Sequence, residues 1–152
     1  ELGDCFRDIR NFHLTLAEKK EIQLMFNYPE NTQVSLDKNM LMTIARNLVS
    51  NAIKFSQSHT TVYISIVISD NELELSVTDQ GVGMTENELN SLFSISSSFS
   101  REGTAKERGS GLGLIICYEF ASVLGGEILV KSKKGSGTTF TVRLPATIIV
   151  NS

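Results

Sequence analysis

Asn47, Asn51 and Lys54 stand four and three residues apart, a spacing that puts all three on one face of a helix. An amide oxygen is a neutral ligand for a hard cation such as Mg²⁺, which takes its remaining ligands from phosphate and water. A lysine one turn further on adds a point charge suited to phosphate. Alone, the triplet is also what a solvated helix face looks like. Asp79 leads into Gln80-Gly81-Val82-Gly83, where two glycines allow positive φ and close approach of a ligand to the backbone. A carboxylate held there accepts hydrogen bonds, and so could read an amine such as that of adenine. A tight turn with a helix cap is the competing reading.

Two further glycine clusters follow. Gly109-Ser110-Gly111-Leu112-Gly113 precedes a helical pattern, but it follows a long loop instead of the first strand of a βαβ unit, and its G-x-G-x-G spacing lacks the final two-residue gap of a dinucleotide fold. No G-x-x-x-x-G-K-[ST] occurs either. A helix N-terminus there still offers free N–H groups and a favourable dipole to an anionic phosphate. Gly135-Ser136-Gly137 reads as a hairpin turn, and its neighbour Thr138 is the residue that points to ligand contact. His13, in a probable-helix pattern, reads as a helix-surface residue and His59 as part of a polar turn; no Cys or His cluster has the spacing of a zinc site.

The elements that must position these groups can be read from periodicity. Phe6, Ile9, Phe12 and Leu16 recur at helical steps within Leu2–Lys20. Ile22–Tyr28 reads as a strand ended by Pro29 and a polar turn. Ser35 or Asp37 can cap a helix running to about Phe55, with Leu41, Ile44, Leu48, Ala52 and Phe55 as its core stripe. Val62–Ile68 and Leu73–Val77 alternate and are linked by Ser69-Asp70-Asn71, an antiparallel hairpin. A short helix is expected over Thr85–Phe93. Ser94–Gly109 then loses all periodicity and reads as a mobile loop inside the domain. Leu112, Ile115, Ile116, Phe120, Val123 and Leu124 mark an amphipathic helix stopped by Gly125-Gly126. Strands over Glu127–Lys131 and Thr138–Leu144 close the pattern. About five strands and three or more helices make an α+β two-layer sandwich, with a mixed, mostly antiparallel sheet and helices on one face.

A chain of 152 residues holds one such domain. A net charge of −3 gives no general attraction to nucleic acid. No apolar run approaches the roughly 20 residues needed to span a bilayer. Cys5 and Cys117 lie far apart, outside any C-x-x-C pair, and read as reduced, buried or half-buried thiols of an intracellular domain.

In order and spacing these motifs resemble the catalytic, ATP-binding domain of sensor histidine kinases, of the GHKL superfamily. Asn47–Ser56 (NLVSNAIKFS) resembles the N box and Asp79–Gly83 the first glycine box. Leu92-Phe93 with Phe99 resembles the F box, Gly109–Leu114 (GSGLGL) the second glycine box, and Gly135–Phe140 the last. The likeness runs from about Phe6 to Pro145. It implies a Bergerat sandwich over residues 1–152, with ATP under a flexible lid at about 94–110. By resemblance, Asn51 coordinates Mg²⁺ bridging the phosphates, Asn47 supports the site, and Lys54 contacts phosphate. Asp79 accepts from the adenine amine with Thr138 assisting through water, and Gly81 and Gly83 let the base slide against the backbone. Gly111, Leu112 and Gly113 present amides to the phosphates, and Arg101 and Arg108 stabilise charge on the transferring γ-phosphate.

Position 47 separates relatives. The hydrolysing branch and the anti-sigma-factor serine kinases place a glutamate there, and Asn47 has no basic carboxylate with which to activate water. The resemblance therefore implies a kinase domain that donates its γ-phosphate to a histidine. A hydrolysing ATPase and a nucleotide-free interaction module of the same fold stay open as alternatives. The F box departs from the pattern, with Ser94-Ile95-Ser96-Ser97-Ser98 replacing the commoner Glu-Pro-Phe type. Neither His13 nor His59 has an adjacent acid, so the phosphoacceptor helix is absent from the chain. The implied partners are a dimerisation and histidine-phosphotransfer domain of the same parent and a downstream response regulator. The parent is expected to be a membrane-anchored homodimer, and this domain a monomer on its cytoplasmic side.

Overall fold

Residues 1–92 and 112–149 are described by a computed structural model. Its main sheet has five strands in the order β1-β3-β4-β6-β5: β1 (Gln23–Asn27), β3 (Thr61–Ser69), β4 (Glu72–Asp79), β6 (Thr138–Pro145) and β5 (Glu127–Ser132). Only the β1–β3 pair is parallel, because the chain returns between them through a helix, α2 (Lys38–Phe55). The β3–β4 hairpin turns on Asp70 and Asn71 at φ 50° and 60°, the pair of positive φ angles that matches the twist of flanking strands. Two short strands, β2 (Gln33–Ser35) and β7 (Thr147–Ile149), pair separately. They were not expected: three residues each give no readable alternation, and Pro145 read as a stop.

α1 (Leu2–Lys19), α2 and α4 (Gly113–Val123) pack on one face of the sheet, and the six-residue α3 (Glu86–Ser91) starts from a complete Thr85–Glu88 capping box. The core lies between the layers. Val62, Ile64 and Ile66 of β3, Leu73, Leu75 and Val77 of β4, and Phe140, Val142 and Leu144 of β6 meet Ile44, Leu48, Val49 and Ile53 of α2. On the opposite face the sheet is solvated, with Thr78–Thr139 and Ser76–Thr141 hydroxyl pairs and an Arg143–Glu74 bridge at 3.0 Å. The α+β sandwich expected from the pattern is the fold observed.

Three local readings need correction. The buried stripe of α1 runs Leu2, Phe6, Ile9, His13, Ala17, and Phe12 and Leu16 are 62% and 51% exposed. His13 is therefore a core residue, not a surface one. Its Nδ1 lies 2.8 Å from the Ile9 carbonyl and its Nε2 2.8 Å from Ser50 Oγ, so both ring nitrogens have partners and the ring can be buried. Phe12 is covered on one side by the Arg46 guanidinium, 5.1 Å from the ring centre. In α4 the buried residues are Cys117 and Ala121, whereas Leu112, Ile116 and Val123 are exposed. The segment is apolar nearly all round, so periodicity could not tell its faces apart, and small side chains mark where it approaches α2 closely. In α2 the first four expected core residues are buried, and Phe55 is only half-buried.

α2 is anchored at both ends. Asp37 Oδ1 accepts from the Met40 N–H at 3.0 Å. At the other end the Lys20 ammonium donates to the carbonyls of Ile53 and Lys54 at 2.9 and 2.7 Å. A cation on the last carbonyls of a helix satisfies orphan acceptors and opposes the negative end of the dipole. Lys20→Met, which keeps the stem and removes the charge, should lower the unfolding free energy in urea by about 1–2 kcal/mol. A loss below a few tenths would show that water replaces both bonds.

Candidate functional site

α2 carries Asn47, Asn51 and Lys54 as a half-buried column. Asn47 is oriented by its own helix, with Nδ2 donating to the Thr43 carbonyl at 2.7 Å. That leaves Oδ1 turned toward the start of α4, where a Cβ added to Gly113 would stand 2.6 Å from it. A side chain at position 113 would force Asn47 to turn away from its bond to Thr43. Asn51 makes no side-chain hydrogen bond to another described residue. The Lys54 ammonium lies 5.0 Å from the Phe55 ring centre.

The C-terminal end of the same helix meets the Asp79 turn. Val82 N–H donates to the Phe55 carbonyl at 3.3 Å, and Ser56 bridges Gly81. A side chain at Gly81 would run into the Phe55 carbonyl, and Gly83, at φ +67°, faces the Lys133 carbonyl. These glycines are required by backbone packed against backbone, a cause that the sequence did not show. The result is that one turn holds the end of α2, the Asp79 carboxylate and the β5–β6 hairpin together.

Asp79 is 6% exposed. Its Oδ1 accepts the Gly81 N–H at 2.9 Å and the Thr138 N–H at 3.2 Å. Both bonds fall on one oxygen, and among the described residues Oδ2 has no partner. Burial pushes the carboxyl up from 3.8 to about 6, and the two N–H donors oppose that shift without cancelling it. Ionising this carboxyl in place is therefore disfavoured, and one of its oxygens is open to a further donor.

Thr138 is directly paired with Asp79 across β4–β6, and Ser132 with Thr138 across β5–β6. The three form a polar row at the end of an otherwise apolar inner face. The sequence had singled out two of them. Ser132 was detectable in principle, since it stands in phase with Ile128 and Val130. Lys20 had no such signal, because its partners are 33 and 34 residues away.

Leu112 and Gly113 lie at the start of α4, beside Asn47. Gly111, Arg101, Arg108, Phe93, Phe99 and the 94–110 segment lie outside the described residues. Among the described residues no group of three His, Cys, Asp or Glu could hold a metal ion, and no helix is long and apolar enough to cross a membrane. Cys5 and Cys117 are free and buried. His59 sits in its turn, exposed, 2.9 Å from Glu21. A recess of about 510 Å³ near Tyr28, Ile68 and Ile148 lies at the opposite end of β3 from Asp79 and belongs to no part of this constellation.

Comparison with known proteins bears on the family and the fold. The family model described as histidine kinase-, DNA gyrase B-, and HSP90-like ATPase matches residues 36–148. The sensor-like histidine kinase SenX3 of Mycobacterium tuberculosis is 38% identical over 139 residues, covering 90% of this chain and 33% of SenX3. The histidine protein kinase DivJ of Caulobacter vibrioides is 39% identical over 119 residues, covering 77% of this chain and 19% of DivJ. The chain thus spans a third or less of the length of these relatives. Among solved structures, the catalytic domain of histidine kinase ThkA superposes with a TM-score of 0.79 at 23% identity, over 95% of this chain and 91% of that one. Full-length ShkA in complex with AMPPNP gives 0.81 at 21% identity, over 99% of this chain and 31% of that one. At those identities the structural likeness is one of fold, and the family rests on the sequence matches. Motif order, sandwich and family match coincide: the chain belongs to the histidine kinase-, DNA gyrase B- and HSP90-like ATPase family, as a catalytic domain of the sensor histidine kinase type.

Proposed function

We propose that this domain binds Mg-ATP and donates the γ-phosphate to a histidine on a separate dimerisation and phosphotransfer domain of its parent protein. The observation that carries the reading is Asp79, buried, ionisable near neutrality and presenting one open acceptor oxygen. Adenine offers an amine hydrogen to such an acceptor, whereas guanine offers a carbonyl at the same position and is repelled. Thr138 stands beside it for a water-mediated contact with the base.

The phosphates then lie along α2 toward α4. Lys54 supplies positive charge, and the N–H groups at the start of α4, with Leu112 and Gly113, supply donors aided by the helix dipole. Asn51 offers an amide oxygen with no hydrogen-bond partner among the described residues, which suits a cation that arrives already held by phosphate oxygens and not one held by protein alone. Mg²⁺, if held there with Asn51, would supply neutralisation of the phosphate charge. By the family resemblance, Gly111 would add a further phosphate donor, and Arg101 and Arg108 would stabilise charge on the transferring phosphoryl group; all three lie outside the described residues. Asn47 keeps the column in place and, lacking a carboxylate, leaves water unactivated. The γ-phosphate is thereby kept for the acceptor histidine.

Transfer is tested by supplying the parent's histidine-bearing domain with γ-labelled ATP. The label should reach that domain, while the catalytic domain alone releases negligible phosphate. Steady release abolished by Asn51→Ala would instead favour a hydrolase. In calorimetry, Asp79→Asn should weaken ATP binding by about 10- to 150-fold without unfolding the domain, and an unchanged Kd would show that the base is not read there.

The pH dependence has a definite sign. ATP affinity should fall as pH drops below about 6, where a proton neutralises the Asp79 acceptor, and Asp79→Asn should be flat over the same range. The unliganded domain behaves oppositely. A carboxyl raised from 3.8 to about 6 holds protons more tightly folded than unfolded, so its contribution to stability is full below 3.8 and lost as pH rises to about 6. The wild-type minus Asp79→Asn difference in denaturant unfolding isolates it, since buried His13, with its pKa lowered, contributes equally to both proteins.

A further inference from the structure

Ser132 Oγ is the hub of three hydrogen bonds. It accepts the Met84 N–H at 2.8 Å, donates to the Gly137 carbonyl at 3.0 Å, and lies 2.8 Å from Thr138 Oγ1. A hydroxyl has one hydrogen and two lone pairs. A backbone N–H can only donate and a carbonyl can only accept. The arrangement that satisfies all three partners therefore commits the Ser132 hydrogen to Gly137 and fills one lone pair from Met84. The second lone pair is left for Thr138, which must donate. With its own hydrogen spent, Thr138 Oγ1 turns only acceptor lone pairs toward the space beside Asp79. Asp79 Oδ2 is an acceptor too, so Ser132 makes the whole polar row at the end of β4, β6 and β5 accepting.

From this we infer that Ser132 is a specificity-determining positioning residue: by taking the Thr138 hydrogen it makes the base-reading edge accept only, and so favours a purine with an amine over one with a carbonyl. The inference rests on the reading of Asp79 as the base-recognition group. Ser132 does not touch the base. It acts through Thr138, and it also ties Met84, just past the Asp79 turn, to the β5–β6 hairpin at Gly137. Removing Oγ releases the Thr138 hydroxyl to rotate and donate to a 6-carbonyl.

The test compares dissociation constants of adenosine and inosine triphosphates for the intact domain by calorimetry. Wild type should prefer adenosine. Ser132→Ala should reduce the preference about fivefold, the worth of one neutral hydrogen bond, with inosine binding gaining relative to adenosine. Ser132→Thr, which keeps a hydroxyl on the strand, should restore it. In a Thr138→Val background, Ser132→Ala should leave the ratio unmoved, because there is no hydroxyl left to orient. A general loosening of the hairpin would weaken both nucleotides together and leave their ratio constant, and that result overturns the inference. So does a ratio change that persists in Thr138→Val. Should Ser132→Ala fail to fold, Ser132→Cys, a weak acceptor of similar shape, must shift the ratio in the same direction or the inference fails. If Asp79→Asn leaves adenosine affinity unchanged, the base-recognition reading itself is wrong. If Asp79→Asn weakens binding and Ser132→Ala does not move the ratio, only the role of Ser132 is refuted.

Discussion

One carboxylate organises the far end of this sheet. Asp79 is taken out of water at a cost that its two N–H donors offset only in part. Those donors are the Gly81 amide, in the turn that follows, and the Thr138 amide, on the next strand. The same side chain therefore closes the Asp79–Gly83 turn and fixes the register between β4 and β6 at their ends. An apolar residue like Val77 would leave both N–H groups unpaired, but a neutral acceptor such as asparagine could take them without burying a charge. Keeping an ionisable group here makes sense if a ligand supplies the remaining stabilisation.

What surrounds that carboxylate is held by α2. The helix is capped by Asp37 at its start and by the Lys20 ammonium at its end, and it is crossed in the middle by the His13 contact to Ser50. Each restraint comes from a different part of the chain. Together they leave the helix little freedom to slide or rotate, and freedom is what a column of Asn47, Asn51 and Lys54 cannot tolerate. A one-residue rotation of about 100° would carry all three away from the Asp79 end of the sheet. On the proposed function, the anchors of α2 would serve the site, although none of them faces it.

The history of each residue's legibility follows the same division between local and distant causes. The Asp70-Asn71 hairpin, a helix cap at Ser35 or Asp37 and the alternation of β3 and β4 are set by neighbours in sequence and were readable there, with the structure choosing Asp37 as the cap. The glycines of the Asp79 turn were readable as requirements but not for their reason, since the carbonyls that forbid a side chain come from Phe55 and Lys133. His13 reads as a surface residue and Lys20 and Ser132 carry no role in the pattern, because what makes each of them matter is a partner brought close only by the fold. In α1 and α4 periodicity misled for opposite reasons. α1 buries a histidine whose nitrogens are both matched and exposes a phenylalanine shielded by Arg46. α4 is apolar all round, so no stripe stands out. The asparagine column and Asp79 stood out only through their fixed order with the glycine motifs, since each alone also fits a local cause, a solvated helix face or a tight turn.

The contact between Asn47 and Gly113 carries that argument one step further. A Cβ at position 113 would sit 2.6 Å from Asn47 Oδ1, so the side chain at 47 and the first turn of α4 share one small volume. Asn47 is held short of that turn by its bond to the Thr43 carbonyl. A glutamate, one methylene longer and charged, could not occupy the same space with the same bond, because its carboxylate cannot donate to a carbonyl. It would have to turn elsewhere or push the start of α4 outward, and the N–H groups of Leu112 and Gly113 would move with it. The amide at 47 is thus tied by packing to the placement of the α4 amides. On the proposed function, the absence of a water-activating acid and the position of the phosphate donors would be two consequences of a single steric fit.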